Sequence, residues 1–351
     1  MKVAEKGSGD PEGAGWPREA SHYTALGDGR VRCGLCPHGC TITDGKRGIC
    51  GVRENRHGRL YSLIYGRIAS VHPDPVEKKP LYHFHPGSTV LSFGTLGCNL
   101  RCLHCQNWEI SQARDADFSL LRPLELSELA PMAERTGSTG IAWTYNEPTI
   151  WHEFTLEGCK EAKRHGLYTV YVTNGFISEA PLRELAPFLD AANVDVKAFT
   201  EKFYREVSGA RLQPVLEACR LYRELKIHLE LTYLVIPTKN DSSSEIEQFC
   251  RWAVRELGPD VPLHFSRFHP DYRLTSLPPT PLAKLEEACS LAKKAGAEYV
   301  YAGNVPHGDY ENTRCPACGS LLIERYGFSA EVVGLNGRRC ARCDKEIAIV
   351  L

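Results

Sequence analysis

No uninterrupted apolar run in this 351-residue chain approaches the roughly 18 residues that a membrane-spanning helix needs. The first twenty residues, MKVAEKGSGDPEGAGWPREA, also lack an apolar stretch, so no secretory leader is expected and a cytoplasmic chain is. Net charge is missing as well. Lys and Arg number 42 against 43 Asp and Glu, a formal −1 with pI near 6.9. No global field then favours nucleic acid or a membrane. One local excess stands out between Arg30 and Leu60. There, seven basic residues (Arg30, Arg32, Lys46, Arg47, Arg53, Arg56, Arg59) face two acids (Asp44, Glu54), a local +5. It suits phosphate or an acidic partner, and equally a solvated surface, so nucleic acid stays open. Internal repeats are absent apart from two CxxC pairs near the C-terminus.

Cysteine is what the chain has in excess. It has 15, of which eleven fall in clusters of three, four and four. Clustered cysteines in a reducing compartment point to metal rather than to disulfides. The remaining Cys159, Cys219, Cys250 and Cys289 sit in helical patterns and read as ordinary core residues.

Composition divides the chain into four parts. Residues 1–29, rich in Gly, Pro and charge, read as a disordered arm. Residues 30–88 form a Cys-rich metal-binding segment and, from Pro73 to Pro86, an extended linker. Residues 89–305 alternate β-rich runs with amphipathic stretches, seven of the first and six of the second. The runs are Val90–Thr95, Gly140–Tyr145, Tyr168–Thr173, Ala192–Val196, Ile227–Val235, Pro262–Phe268 and Tyr299–Gly303. That order belongs to a parallel α/β structure, barrel or doubly wound. Polar residues at the strand C-terminal ends favour the barrel, where such residues do the chemistry. The expected fold is therefore α/β, a partial (β/α) TIM-like barrel, closed by a zinc-ribbon-like tail over residues 306–351.

Within the barrel, GTLGCNLRCLHCQNWEI carries Cys98, Cys102 and Cys105 as C-x3-C-x2-C directly after a predicted strand. Three thiolates on one short loop can hold three corners of an iron–sulfur cube, which normally takes four. The iron without a thiolate is then open for chemistry, as an open metal position usually is. The bland alternatives are three structural cysteines, or a zinc site that borrows His104. In the tail, Cys315, Cys318, Cys340 and Cys343 form CxxC…CxxC, a pattern suited to zinc or iron. In the N-terminal segment, Cys33, Cys36, Cys40 and Cys50 offer four more thiolates, for zinc or for an auxiliary cluster. His83, His85, His264, His269, Tyr301 and Asn304 either line a substrate mouth or pack locally.

The cysteine triplet resembles the signature of the radical S-adenosylmethionine (SAM) superfamily, in which SAM chelates the fourth iron. The resemblance implies reductive cleavage of SAM to a 5′-deoxyadenosyl radical that abstracts hydrogen from a substrate. The cofactor carries the hard chemistry and the protein orients it. By the same resemblance, Asn146 and Glu147 in Tyr145-Asn146-Glu147-Pro148 face SAM. Asn174 in Thr173-Asn174-Gly175, and Asp195 and Lys197, are further SAM contacts, and His104 meets adenine. The segments CPHGCTITDGKRGICGVREN, KKPLYHFHPGS, WTYNEPTIWHEF, VIPTKND, HFSRFHPDY and YVYAGNV resemble the radical SAM enzyme of the AmmeMemoRadiSam system from about Cys33 onward. That group is similar to pyruvate formate-lyase activating enzymes, although this chain lacks their Gly-Gly-Glu. The resemblance implies a flavodoxin- or ferredoxin-like electron donor and partners of the AMMECR and Memo kinds. A glycyl-radical activase and a non-catalytic metal-binding adaptor are the other readings. The substrate is not legible.

Overall fold

The computed structural model describes residues 16–305 and 309–351. Its centre is one eight-stranded sheet: β1 (Ser70–Pro75), β2 (Thr89–Gly94), β3 (Gly140–Trp143), β4 (Tyr168–Thr173), β5 (Ala191–Asp195), β6 (His228–Val235), β7 (Leu263–Arg267) and β8 (Val300–Gly303). Spatial order follows chain order from β1 to β8. All neighbours from β2 to β8 are parallel, and only β1 runs antiparallel, on the edge beside β2.

Order without reversal separates this sheet from the doubly wound alternative. Right-handed crossovers that advance one strand at a time leave the helices on one face. The helices are α1 (Leu129–Arg135), α2 (His152–Arg164), α3 (Glu179–Leu185), α4 (Leu212–Glu224), α5 (Ser243–Leu257) and α6 (Leu282–Ala295). The strands read as continuous apolar runs because both faces are covered; all four residues of β3 are buried. Helix α5 shows how local signals set an element. Ser242 accepts a hydrogen bond from the Glu245 amide, Gly258 ends the helix, and Ile246, Phe249, Cys250, Ala253 and Leu257 form its buried stripe. At Gly158 helix α2 meets β3 so closely that a Cβ there would lie 2.5 Å from the Trp143 ring.

Two expectations about the flanks need correction. The arm was expected through residue 29, and its residues 1–15 lie outside the described ones. From Arg18, however, the chain is paired: Arg18–Glu19 joins Arg59–Ser62, and Tyr23–Ala25 joins Val31–Cys33. Ala20, Val31, Cys33, Leu35, Ile42 and Leu60 give this unit its own small core. The buried Arg53–Glu153 pair, at 2.6 Å, fastens it to α2. The expected linker after Pro73 begins instead inside strand β1. Pro is tolerated there because β1 is an edge.

The tail packs at the N-terminal rim of the sheet, around Tyr82, Tyr299, Tyr301, Leu322, Ile323, Ile347 and Ile349. Buried Arg325 donates to the Tyr82 carbonyl at 2.7 Å and lies over its ring. His83 and His264 belong to this rim, not to a substrate mouth. His83 bonds the Ala348 carbonyl and the Tyr301 hydroxyl, and His264 bonds Glu230 at 2.7 Å. Tyr301 is thereby a packing residue too. His85 stacks on Tyr168, and His269 is exposed in the loop after β7.

Candidate functional site

Strands β2 to β5 bring the chemistry-bearing residues to one end of the sheet. The loop after β2 carries the cysteine triplet. It turns at Gly97, where φ is +91° and a Cβ would strike Val52 and the Cys50 carbonyl. Cys98 and Cys102 are buried and Cys105 half-buried. Backbone bonds hold the loop from the far side: Arg101 donates to the Ser208 carbonyl at 2.8 Å, and Leu103 to Val207 at 3.0 Å.

Those acceptors belong to a π-helical turn, Tyr204–Ser208, that the sequence reading missed. Its signals were present. Thr200 caps the short helix Glu201–Phe203 that leads into it by accepting from the Phe203 amide, and Gly209, at φ +68°, ends it. A turn this short has too few residues for a periodic pattern. The Tyr204 hydroxyl also accepts from the Lys197 amide at 3.0 Å, tying the turn to the end of β5.

Asn174, after β4, reaches the cysteine loop. Its Nδ2 donates to Asn99 Oδ1 at 2.9 Å and stands 3.7 Å from Cys98 Sγ, while the Leu100 amide donates to the same sulfur at 3.3 Å. Asn99, also unread in the sequence, donates on to the Phe176 carbonyl. Lys197 pairs with Asp195 at 2.8 Å. Although burial opposes its charge, Asp195 and the thiols Cys102 and Cys105 raise its pKa, so the ammonium stays protonated beside the triplet. His104 is buried, and its Nδ1 has no partner. Burial, then the Lys197 charge, lowers its pKa to about 3, so the ring is neutral.

Asn146 and Glu147 lie beside the loop, but their side chains are already occupied. Asn146 accepts from the Thr95 amide and donates to the Gly97 carbonyl at 2.8 Å, bracing the cysteine loop. Glu147 is buried and accepts from the Thr149 amide, the Thr173 hydroxyl and the Asn174 amide at 2.7–2.9 Å. It caps the turn leading into α2 and fixes the β4 end. Burial raises its pKa and these donors oppose the rise.

Both chemical and geometric features of the triplet fit an iron–sulfur cube with three protein thiolates. Ligands of one ion must crowd together, whereas each cube thiolate serves its own iron. Among the described residues, the triplet is absent from the groups whose ligand atoms lie within 4.8 Å of one another. An N–H donor points at Cys98, as donors do at cluster sulfurs. The tail differs: Cys315, Cys318, Cys340 and Cys343 do fall within 4.8 Å, with sulfur pairs at 3.5 and 3.7 Å. This set sits at the opposite rim from the triplet.

The chain has recognisable relatives among known proteins. Residues 93–253 match the model of the radical SAM superfamily. The chain is 46% identical over 336 residues to the uncharacterized protein MJ0808 of Methanocaldococcus jannaschii, covering 95% of this chain and 100% of that one. It is 23% identical over 174 residues to the pyruvate formate-lyase 1-activating enzyme of Escherichia coli, covering 47% of this chain and 70% of that enzyme. Among solved structures, Streptococcus suis SuiB bound to S-adenosylmethionine aligns with a TM-score of 0.48 at 13% identity, over 61% of this chain and 52% of that one. Among the described residues no helix is long and apolar enough to cross a membrane. The chain belongs to the radical SAM superfamily, enzymes that work with a [4Fe–4S] cluster and S-adenosylmethionine.

Proposed function

We propose that this protein is a radical SAM enzyme of the AmmeMemoRadiSam group, with Cys98, Cys102 and Cys105 holding the cluster and the β3, β4 and β5 ends holding SAM. When bound, the cluster and SAM supply a 5′-deoxyadenosyl radical that abstracts hydrogen from a substrate. The carrying observation is the approach of Asn174 Nδ2 to Cys98 Sγ, on the same end of the sheet as the Asp195–Lys197 pair.

The chain's own residues divide the work. Asn174 donates toward the Cys98 sulfur and, with Asn99, fixes the loop. Lys197 offers a protonated ammonium to the SAM carboxylate, and Asp195 both orients it and faces the ribose. Neutral His104 presents an unpaired ring nitrogen toward the adenine. Asn146 and Glu147 act as positioning residues, since their polar atoms are bonded to the loop and the β4 end. The role read for them from the resemblance is thereby altered: they shape the SAM pocket through Gly97 and Asn174. The tail cysteines hold one zinc or iron ion in a ribbon that closes the opposite rim. A low-potential donor of the flavodoxin or ferredoxin kind and partners of the AMMECR and Memo kinds complete the system.

The similarity to pyruvate formate-lyase activating enzymes favours glycyl-radical activation as the second reading. One experiment separates them. Reduced holoenzyme, SAM and fractionated, deuterium-labelled cell extract are incubated anaerobically. Label in 5′-deoxyadenosine from an RNA or small-molecule fraction supports the first reading. A glycyl doublet in the EPR spectrum of a protein fraction supports the second. Failure to make 5′-deoxyadenosine at all would contradict both.

A further inference from the structure

The basic N-terminal unit contains a feature that catalysis at the triplet does not use. Cys33, Cys36, Cys40 and Cys50 line one cavity together with Leu35, Ile42, Ile49 and Ile150. Arg53 lines it too. Its side chain is 2% exposed, and its Nε and one terminal nitrogen have no hydrogen-bond partner. Orphaned guanidinium N–H groups in an apolar wall are costly. They are unmet donors beside the Arg53–Glu153 pair, and metal-bound thiolates would accept from them.

Sulfur spacing says which occupant. Thiolates around one ion, with bonds of about 2.3 Å, stand roughly 3.8 Å apart. The tail group meets that condition at 3.5 and 3.7 Å. No three of the N-terminal sulfurs lie within 4.8 Å of one another among the described residues, although all four face the same cavity. That spread suits a cube, with one iron behind each thiolate.

We propose that Cys33, Cys36, Cys40 and Cys50 bind a second [4Fe–4S] cluster, closed by four thiolates, in a cavity that shares a wall with the Cys98 loop. The shared wall is direct. Ile150 lines the cavity and lies 3.5 Å from the place a Gly97 Cβ would take, and the Cys50 carbonyl lies 2.9 Å from it. His38, also a cavity residue, donates to the Asn99 carbonyl at 2.7 Å. Arg114 donates to the Leu100 carbonyl while its Cβ stands against Gly51.

The test counts iron and acid-labile sulfide after anaerobic reconstitution. It uses wild type, the variant Cys98→Ala/Cys102→Ala/Cys105→Ala and the variant Cys33→Ala/Cys36→Ala. Wild type should carry about eight sulfides per chain and each variant about four. The cluster left in the triplet variant should give an EPR signal that SAM does not perturb. A triplet variant without sulfide, with zinc near two per chain or with no metal beyond the tail ion, overturns the proposal. A triplet variant that keeps all its sulfide refutes the Cys98 assignment instead. If that variant does not fold, Cys36→Ser in the otherwise intact chain serves. It should produce an oxidised three-iron signal, and an unchanged sulfide count with no such signal overturns the proposal.

Discussion

The carboxamide nitrogen of Asn174 stands 3.7 Å from the sulfur of Cys98, linking the end of β4 to the loop after β2. A donor aimed at a thiolate stabilises the more negative, reduced cluster. Asn174→Ala is therefore expected to retain its iron but to have a more negative reduction potential. Loss of one such bond, about 1.4 kcal/mol, corresponds to a potential lower by about 60 mV for this one-electron couple. An EPR-monitored redox titration checks the potential, and an unshifted value would remove Asn174 from this role.

Lys197 supplies the positive charge next to the triplet. Lys197→Met keeps the length of the stem and removes the ammonium. Its expected effect is weaker SAM binding, by about 10- to 100-fold, since charge-assisted bonds contribute roughly 1.5–3 kcal/mol. Iron content should not change. Isothermal titration with SAM on the holoenzyme checks this, and wild-type affinity would place the SAM carboxylate elsewhere.

The fold's own tolerances are open to test at Gly158. A methyl group there would press 2.5 Å from Trp143, so Gly158→Ala is expected to lose about 1–3 kcal/mol despite alanine's better helix propensity. Thermal unfolding of variant and wild type reads the difference. A stabilised variant would mean that α2 does not sit tightly on β3.

Sequence and structure agree best where the signal is long and periodic. All seven core strands fall within a residue or two of their expected bounds, because runs such as Tyr168–Thr173 are rich in β-branched and aromatic residues and largely buried. Strand β1 was hidden by its two prolines, which mimic a linker until the neighbouring strand is known. The triplet was legible because its spacing is local. The employment of Glu147 was not, since its three donors come from residues 2, 26 and 27 positions away. For His264 the sequence leaves local packing and a substrate mouth both open, because a histidine in β7 shows its partner, Glu230 on β6, only once the strands are paired.

Acid sensitivity should begin at the opposite rim. Burial lowers the pKa of His83 to about 4, with Glu230 and the Ala348 carbonyl opposing only in part. Below the unfolded value of about 6.5 the unfolded state binds this proton first, so stability falls as pH drops from about 6.5 toward 4. The contribution reaches about 3 kcal/mol. Glu230, which burial raises but His228 and His264 hold far lower, adds loss in the same direction at still lower pH. Denaturant midpoints between pH 7.5 and 4.5 check the slope, and His83→Gln should flatten it.

The cysteine loop after β2 is the most exposed part of the account. Wild-type protein and Cys98→Ala, both reconstituted anaerobically and reduced in the presence of SAM, should be compared for 5′-deoxyadenosine. The expected result is steady formation by wild type and none above background by Cys98→Ala, which should also have lost about four irons per chain. Equal iron and equal 5′-deoxyadenosine in the two proteins would contradict the assignment of Cys98, Cys102 and Cys105 as the cluster's ligands.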